Sequence, residues 1–394
     1  ISDSSNLAPR IAFAYSPGPD KHAAKFVIRG GFGIFYERFG RYLLLQAKRY
    51  NGLNQQQYIV TDPIILDSII FTASSISNVP SVETLSQFAL VQTIQTIAPD
   101  LKSPVYFQSA LSIERQLPRK TTISLSYVNT ALRRQLRSKN VNAPLNGVRP
   151  RPDIGNIFQY ESSGRYNQNQ LIFNFKSNFS EKASVFGNYS FGGSKSDTDG
   201  PRSFPGDPYD LSNEYGSSAQ DIRHRFALGG SYEVAYGIKL SPLINFRSGV
   251  PFNITTGTDS NGDTLFTERP TYQELMGVCF VRLLTNSFCR LKGEQATNNS
   301  VIPRNFGRGS SFLGINLNAA KEFGFAKTKD DEARYKLEIS MQVRNIFNRT
   351  NKGTPVGNIR SDLFGEPTST AGGFGGGSTS AGNRRITLGL QFSF

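Results

Sequence analysis

The chain has 394 residues, of which 38% are apolar, and its mean hydropathy is −0.35. Charged residues such as Arg29, Glu37 and Arg38 interrupt even the most hydrophobic early region, so no stretch approaches the roughly eighteen uncharged residues of a transmembrane helix. The net charge of +14 is spread along the chain without a nucleic-acid-binding module, so no nucleic-acid partner is expected.

Alternation of apolar and polar residues, bounded by turn residues, predicts eleven β-strands. Their approximate spans are 8–17, 25–37, 104–116, 119–130, 166–178, 182–194, 222–235, 238–249, 311–324, 334–347 and 384–394. Short turns, at 18–24, 117–118, 180–181, 236–237 and 326–333, alternate with long loops, at 38–103, 131–165, 195–221, 250–310 and 348–383. This segregation is typical of a transmembrane antiparallel β-barrel in the bacterial outer membrane, with periplasmic turns and extracellular loops.

The predicted strands have one apolar and one polar face. In 334–347, apolar side chains from Tyr335 to Val343 alternate with polar ones that include Lys336 and Glu338. A soluble β-sandwich also alternates, but its strands usually have about five or six residues. These strands are longer, which favours the roughly ten residues of a tilted strand that crosses a bilayer. A secreted soluble β-protein is the weaker alternative.

The first long loop, 38–103, is predicted to contain a short helix. Ser81 is a suitable N-cap residue for it. The apolar residues that follow recur at helical spacing: Leu85, Phe88, Val91 and Ile94. We expect the apolar side of this helix to pack inside its own loop.

Region 131–152 of the second long loop is basic and contains no acidic residue. Its cations are Arg133, Arg134, Arg137, Lys139, Arg149 and Arg151. Phosphates of outer-leaflet lipopolysaccharide are one natural counter-charge for such a run. A solvated surface segment is the alternative interpretation.

Charged residues on the polar parity of the strands are predicted to face the barrel lumen, because charges at bilayer depth are costly toward lipid. They are Arg29, Glu114, Lys176, Arg247, Lys336, Glu338 and Arg344. Such residues either hold a plug domain or line the path of a substrate. We favour plug docking, because a wide lumen needs a polar surface to retain a folded domain.

The fourth long loop contains a metal-like pattern and both cysteines. Asp259, Asn261 and Asp263 present oxygen atoms at alternate positions, as the first ligands of a calcium loop do. The residues that follow depart from that motif and no flanking helix is expected, so an Asx-rich turn is the alternative. No cofactor is expected apart from a structural calcium ion at this segment. Cys279 and Cys289 suit one disulfide in an oxidising compartment, with two free thiols as the alternative.

Catalytic motifs are not found. His22 and His224 have no motif partner, and the glycine-rich run 372–377 lacks the Lys-Ser/Thr of a phosphate loop. We therefore expect the protein not to be an enzyme.

Several segments, taken in order, carry a resemblance to a known family. They are Asn6–Arg10, Ile28–Tyr36, Ser112–Pro118, Ser126–Val128, Tyr160–Arg165, Pro251–Gly257, Asp259–Pro270, Pro303–Arg308 and Val343–Asn348, followed by the closing strand. In order and spacing they resemble the carboxy-terminal half of an Oar-like TonB-dependent outer-membrane transporter. The resemblance implies a 22-stranded barrel, in which residues 1–394 supply the last eleven strands.

The same resemblance implies partners outside this sequence. Transporters of this family have an amino-terminal plug domain that contacts the TonB complex, and no plug is recognised in 1–394. The chain opens on Ile1 without a signal peptide, so we expect a fragment. The terminal Phe392 and Phe394 are interpreted as the assembly signal for the barrel-assembly machinery. The expected function is transport of a siderophore, oligosaccharide or peptide, and the alternative is an adhesive or structural barrel that displays long loops.

Overall fold

The structure is a computed structural model. It describes residues 6–17, 26–55, 58, 60–71, 75–86, 92–291, 293–294, 298–327, 333–372 and 381–394. Its main sheet contains an antiparallel path of eleven strands, each paired with the next along the chain. The prediction of eleven antiparallel strands is thus confirmed, and this eleven-stranded sheet is called the wall below.

The eleven strands of the path are labelled β1 to β11 in chain order. They are β1 Arg10–Tyr15, β2 Phe26–Tyr36, β3 Val105–Leu117, β4 Thr121–Asn140, β5 Ile157–Ser180, β6 Ala183–Ser196, β7 His224–Glu233, β8 Ile238–Arg247, β9 Phe312–Lys327, β10 Ala333–Arg344 and β11 Arg385–Ser393. Short strands also occur at Ile70–Phe71, Ile76–Ser77, Ile94–Ile97, Gly216–Ser217, Pro251–Phe252 and Gly307–Arg308.

The strand register separates an apolar face from a polar face. Directly paired residues of neighbouring strands point to the same side of a sheet. Leu317, Val343 and Ile386 form one such row across β9, β10 and β11, whereas the adjacent row of Asn318, Gln342 and Thr387 lies on the opposite side. The alternation read from the sequence therefore becomes two chemically distinct surfaces of one wall.

Protein atoms do not cover the apolar face. Leu388 and Leu390 of β11 are 77% and 73% exposed, although both belong to the continuous apolar surface. Exposing apolar area to water is unfavourable by roughly 25 cal/mol per Å². A surface of this extent is expected to contact lipid rather than water.

Tight turns and long loops lie at opposite ends of the wall. Residues 118–120, 181–182 and 234–237 form the short connections, whereas 37–104, 141–156, 197–223, 248–311 and 345–384 form the long ones. The predicted turn at 18–24, and residues 328–332 of the predicted turn at 326–333, lie outside the described residues. The alternation of short and long connections is confirmed.

The second long loop is shorter than predicted, because β4 and β5 continue beyond the predicted strand ends at residues 130 and 166. Pairing runs without a break from Thr121↔Ser177 to Arg133↔Arg165 and resumes after two irregularities up to Asn140↔Phe158. Much of the basic region 131–152 is therefore a strand hairpin that extends past the membrane-spanning part. Arg137, predicted to be a surface cation, is 2% exposed inside it.

The described parts of the loops contain four α-helices, labelled α1 to α4: Arg41–Arg49, Pro63–Ser68, Val82–Ser86 and Tyr272–Val281. The Ser81 hydroxyl accepts a hydrogen bond from the Thr84 amide, as expected of the N-cap of α3. Ile94, predicted to belong to this helix, instead begins a short strand that pairs in parallel with β5. The prediction was wrong for Ile94, because an edge of the extended β5 was available for pairing. Phe88 and Val91 lie outside the described residues.

In the described residues, two apolar clusters lie at the loop end of the sheet. In the first, Leu43 and Ala47 of α1 pack against Leu136 of β4 and Tyr160 of β5. The second cluster consists of Phe252, Ile254, Leu275, Cys279, Phe288, Ile302 and Phe364. Within the described residues, no helix is both long enough and apolar enough to cross a membrane.

Candidate functional site: a polar vestibule at the loop end of the wall

A cavity of about 360 Å³ opens on the polar face of the wall, next to the long loops. We call it the vestibule. Its lining is mostly amide and hydroxyl side chains: Gln108, Gln135, Gln168, Gln220, Tyr106, Thr130, Tyr166, Thr198 and Ser218. Leu132, Asp199 and Ala219 complete the lining.

Two paired rows of the sheet build the vestibule wall. Gln108, Thr130 and Gln168 form one row across β3, β4 and β5, and Tyr106, Leu132 and Tyr166 form the row two residues further toward the loops. The Tyr106 hydroxyl donates to Glu37 Oε2 at 2.9 Å. The positions of the side chains that a solute would contact on this side of the vestibule are therefore set by strand register.

The opposite side of the vestibule belongs to the 197–223 loop, whose carboxylates are bound by arginines from other segments. Asp197 accepts from Arg137 Nη2 of β4 at 2.9 Å. Asp199 is bound by Arg304 and Asp221 by Arg308, both from the 248–311 loop. Burial lowers the pKa of the Arg304 guanidinium, and the charge of Asp199 opposes that change. These pairs fix the loop and neutralise the carboxylate that lines the cavity.

A further buried pair joins the same two loops. Arg269 Nη2 lies 2.8 Å from Glu214 Oε1, and Arg269 Nε donates to the carbonyl of Ile302 at 3.1 Å. Glu214 also accepts from the Gly206 amide at 3.0 Å. The loops above the vestibule are thus one cross-linked unit rather than separate segments.

The fourth long loop has its own scaffold. At the start of α4, the Thr271 hydroxyl accepts from the Glu274 amide while the Glu274 carboxylate accepts from the Thr271 amide, which is a capping box. Cys279 of α4 and Cys289 are joined by a disulfide, with their Cα atoms 5.6 Å apart. No helix was expected to flank the Asp259–Asp263 segment, whereas α4 begins nine residues after Asp263.

The Asp259, Asn261 and Asp263 side chains lie together, but mostly accept hydrogen bonds from the loop backbone. Asp259 accepts from the amides of Asp263 and Thr264, and Asp263 accepts from the amide of Leu265 at 2.7 Å. Burial raises the pKa of the Asp263 carboxyl. Within the part of the chain that the structure describes, no three His, Cys, Asp or Glu side chains form a metal-binding group. The calcium hypothesis remains a prediction.

All seven charged residues predicted for the lumen lie on the polar face of the wall. They are distributed over several strands and do not form one cluster. Arg29 and Glu114 form an ion pair of 3.1 Å between β2 and β3, and Lys336 lies 3.4 Å from Glu322 of β9. Glu338 is directly opposite Glu322, and Arg344 opposite Arg385. Arg247 is opposite Arg225, and Lys176 is opposite Thr122.

Some residues of the site were not identified from the sequence. Glu322 and Arg385 share the polar parity of their strands, so strict application of the alternation would have found them. The aspartate-binding Arg304 and Arg308 had no such signal, because their partners are 105 and 87 residues away.

Phe392 and His224 lie on the apolar face of the wall. Phe392 stacks on Tyr335 with ring centroids 6.1 Å apart and is 6.3 Å from the ring of Phe394. His224 Nδ1 lies 2.9 Å from the Tyr189 hydroxyl on the same face. His22 lies outside the described residues.

An uncovered apolar face, a polar opposite face and long loops at one end define the wall of an outer-membrane β-barrel. The chain belongs to the family of the outer membrane beta barrel domain, whose model matches residues 2–386. Its location is the outer membrane.

Solved structures of outer-membrane transporters have a similar fold. The outer membrane transporter YddB from Escherichia coli is 11% identical with a TM-score of 0.52, and the match covers 98% of this chain and 40% of that one. For the FrpB iron transporter from Neisseria meningitidis the identity is 10%, the TM-score 0.47 and the coverage 98% and 39%. The chain thus spans about two fifths of their length. No match is found among curated proteins.

The resemblance to TonB-dependent transporters is confirmed at the level of the barrel fold. Assignment to the Oar-like group stays a prediction. Both similar structures are described as transporters, and the expectation that this protein is not an enzyme stays a prediction.

Proposed function

We propose that residues 1–394 form the carboxy-terminal part of the barrel of a TonB-dependent outer-membrane transporter, and that its substrate is first bound in the vestibule. The observation that carries the proposal is a polar cavity at the loop end of the polar face, with its loop side fixed by buried ion pairs. A transporter needs such a preformed site at the outer end of its lumen.

The vestibule lining favours a neutral substrate with many hydrogen-bonding groups. Its glutamine amides and hydroxyls donate and accept, and its single carboxylate, Asp199, is already bound by Arg304. Tyr106 and Tyr166 add aromatic rings. An oligosaccharide or a peptide suits this lining better than an anionic iron chelate, which would need a free cationic group.

The polar face below the vestibule is proposed to hold a plug domain supplied by another part of the protein, which would connect it to the TonB complex. Ion pairs such as Arg29–Glu114 and Lys336–Glu322 make this face polar, as a surface that contacts a folded domain needs to be. Phe392 and Phe394, exposed at the turn end of β11, are proposed to be read by the barrel-assembly machinery.

The proposal is tested by substrate depletion from the growth medium. Cells carrying the full-length gene, a deletion strain and a strain without TonB are given maltodextrins, xylo-oligosaccharides, tripeptides and ferric catecholates. We expect a neutral oligosaccharide or peptide to be depleted by the first strain only. Equal depletion by all three strains, or selective depletion of the ferric compounds, would contradict the proposal.

One observation favours the adhesive alternative. Phe280, Val281 and Leu283, beside the disulfide of the fourth long loop, are 81%, 79% and 82% exposed. Exposed apolar side chains on a loop that a disulfide constrains suit attachment to another surface. Cell attachment that is lost on deletion of the gene but unchanged without TonB would favour this function over transport.

A further inference from the structure

A second cavity, of about 590 Å³, lies on the outer, apolar face of the wall, away from the vestibule. Tyr127, Leu171, Phe191 and His224 form one continuous row across β4, β5, β6 and β7 at its base. In the next row toward the loops, Asn129 and Asn169 are followed by Gly193. Because Gly193 has no side chain, the cavity remains open at this position.

The row marks the outer boundary of the apolar face. Between it and the turn end of the wall, β5 continues from Leu171 to Ser180 and β7 from His224 to Glu233, ten residues in each case. A tilted strand needs about 9 to 11 residues to cross the hydrocarbon core. The cavity is therefore at the level of the headgroups of the outer leaflet.

Four basic side chains stand above the cavity. Arg133 of β4 is directly opposite Arg165 of β5. Lys195 of β6 is opposite Asn167 of β5, and Arg223 immediately precedes β7. All four are exposed to solvent. Like charges placed directly opposite each other in a sheet repel, so an anion bound between Arg133 and Arg165 would relieve this repulsion.

The nearby acids do not neutralise this basic group. Asp197 lies 3.5 Å from Arg165 but also binds the buried Arg137, which Glu161 approaches to 3.8 Å. Asp221 lies 3.9 Å from Arg223 but also binds Arg308. Arg133 donates to the side-chain oxygen of Asn167 at 3.0 Å rather than to an acid. The surface therefore retains positive charge.

We propose that this surface binds one lipopolysaccharide molecule, with a lipid A phosphate on Arg133, Arg165, Lys195 and Arg223 and an acyl chain over the aromatic row. An apolar cleft at headgroup level with cations directly above it is complementary to a phosphorylated lipid. Guanidinium and ammonium groups form charge-assisted hydrogen bonds with phosphate oxygens. The site faces away from the lumen, so it is independent of the proposed transport route.

The test measures binding of purified rough-type lipopolysaccharide to the delipidated full-length protein in detergent. The double variant Arg133→Gln/Lys195→Gln is expected to bind at least about tenfold more weakly, because two charge-assisted contacts are lost. Arg119→Gln/Lys120→Gln, in the β3–β4 turn at the other end of the wall, removes the same charge and is the matched control. Equal affinities of the two variants would overturn the proposal.

A second variant tests the cavity without changing charge. A Cβ at Gly193 meets no heavy atom closer than 3.8 Å, so a side chain can begin there without a clash, and Gly193→Leu is expected to occupy the cleft. Heat-modifiable migration in electrophoresis verifies that the barrel is folded. We expect weaker lipopolysaccharide binding by this variant and no saturable binding of inorganic phosphate to the unmodified protein. Unchanged lipopolysaccharide binding by the variant, or equally strong phosphate binding, would overturn the assignment to a lipid.

Discussion

Arg269 and Glu214 form an ion pair of 2.8 Å in which the two side chains are 4% and 3% exposed. The two residues are 55 positions apart in the sequence and belong to two different long loops. Removing one partner of a buried pair leaves an uncompensated charge, which makes such a contact a sensitive point of the loop assembly.

Glu214→Gln is expected to destabilise the loop assembly by about 3 kcal/mol, since the buried Arg269 loses its counter-charge. The wall itself does not depend on this pair. Limited proteolysis of the full-length protein should therefore show faster cleavage in 197–223 and 248–311, with unchanged heat-modifiable migration. The control is Asp153→Asn, because its ion pair with Arg151 is largely exposed. Equal proteolysis of the two variants would contradict the prediction.

Replacing vestibule amides should weaken substrate binding. Gln108 and Gln168 belong to one row of the cavity wall, and each lost hydrogen bond costs about 0.5–1.5 kcal/mol, or roughly three- to tenfold in affinity. Gln108→Leu and Gln168→Leu are compared with Gln391→Leu, which lies on the same face near the end of β11. Affinity for the depleted substrate is measured by calorimetry. A similar loss in all three variants would argue against the vestibule.

Lys336→Leu should weaken retention of the plug more than insertion of the barrel. Lys336 lies beside Glu322, which is directly opposite Glu338, so the substitution leaves two adjacent carboxylates without their cation. Retention is measured as the urea concentration that releases a proteolytically separated plug from the full-length protein. Insertion is measured as the amount of barrel in the outer membrane. Equal losses would show that Lys336 supports folding rather than docking.

Calcium is expected not to bind at the Asp259–Asp263 turn. Its carboxylate oxygens already accept backbone amides, which is the arrangement of an Asx turn. Calorimetry with millimolar calcium should give no saturable heat, and a chelator should leave thermal unfolding unchanged. A calcium-binding signal that disappears in Asp259→Asn would establish the metal site instead.

The pH dependence of loop stability should report on Asp263. Burial raises the pKa of this carboxyl, so the folded state holds its proton more tightly than the unfolded state does. Its ionisation therefore destabilises the folded loop above the folded-state pKa, and this cost disappears as pH falls below the unfolded value. Relative to the unmodified protein, Asp263→Asn should become more stable as pH rises from 4 to 7, measured by thermal unfolding. A difference that is constant with pH would contradict this sign.

Strand number, strand order and the two faces of the wall follow from the sequence alone. Side chains alternate by covalent geometry, so the parity of Tyr335, Leu337 and Ile339 fixes their common face without information from distant residues. The segregation of short and long connections then selects a membrane barrel over a soluble sheet.

The vestibule and the lipid-facing cavity were decided by tertiary structure. The first depends on where β4 and β5 end and on pairs such as Arg304–Asp199, and the second on register across four strands and on the gap at Gly193. A charged loop residue has no periodic signal that identifies its partner, because the pairing is set by the three-dimensional course of both loops. Only the folded chain brings these residues within hydrogen-bonding distance.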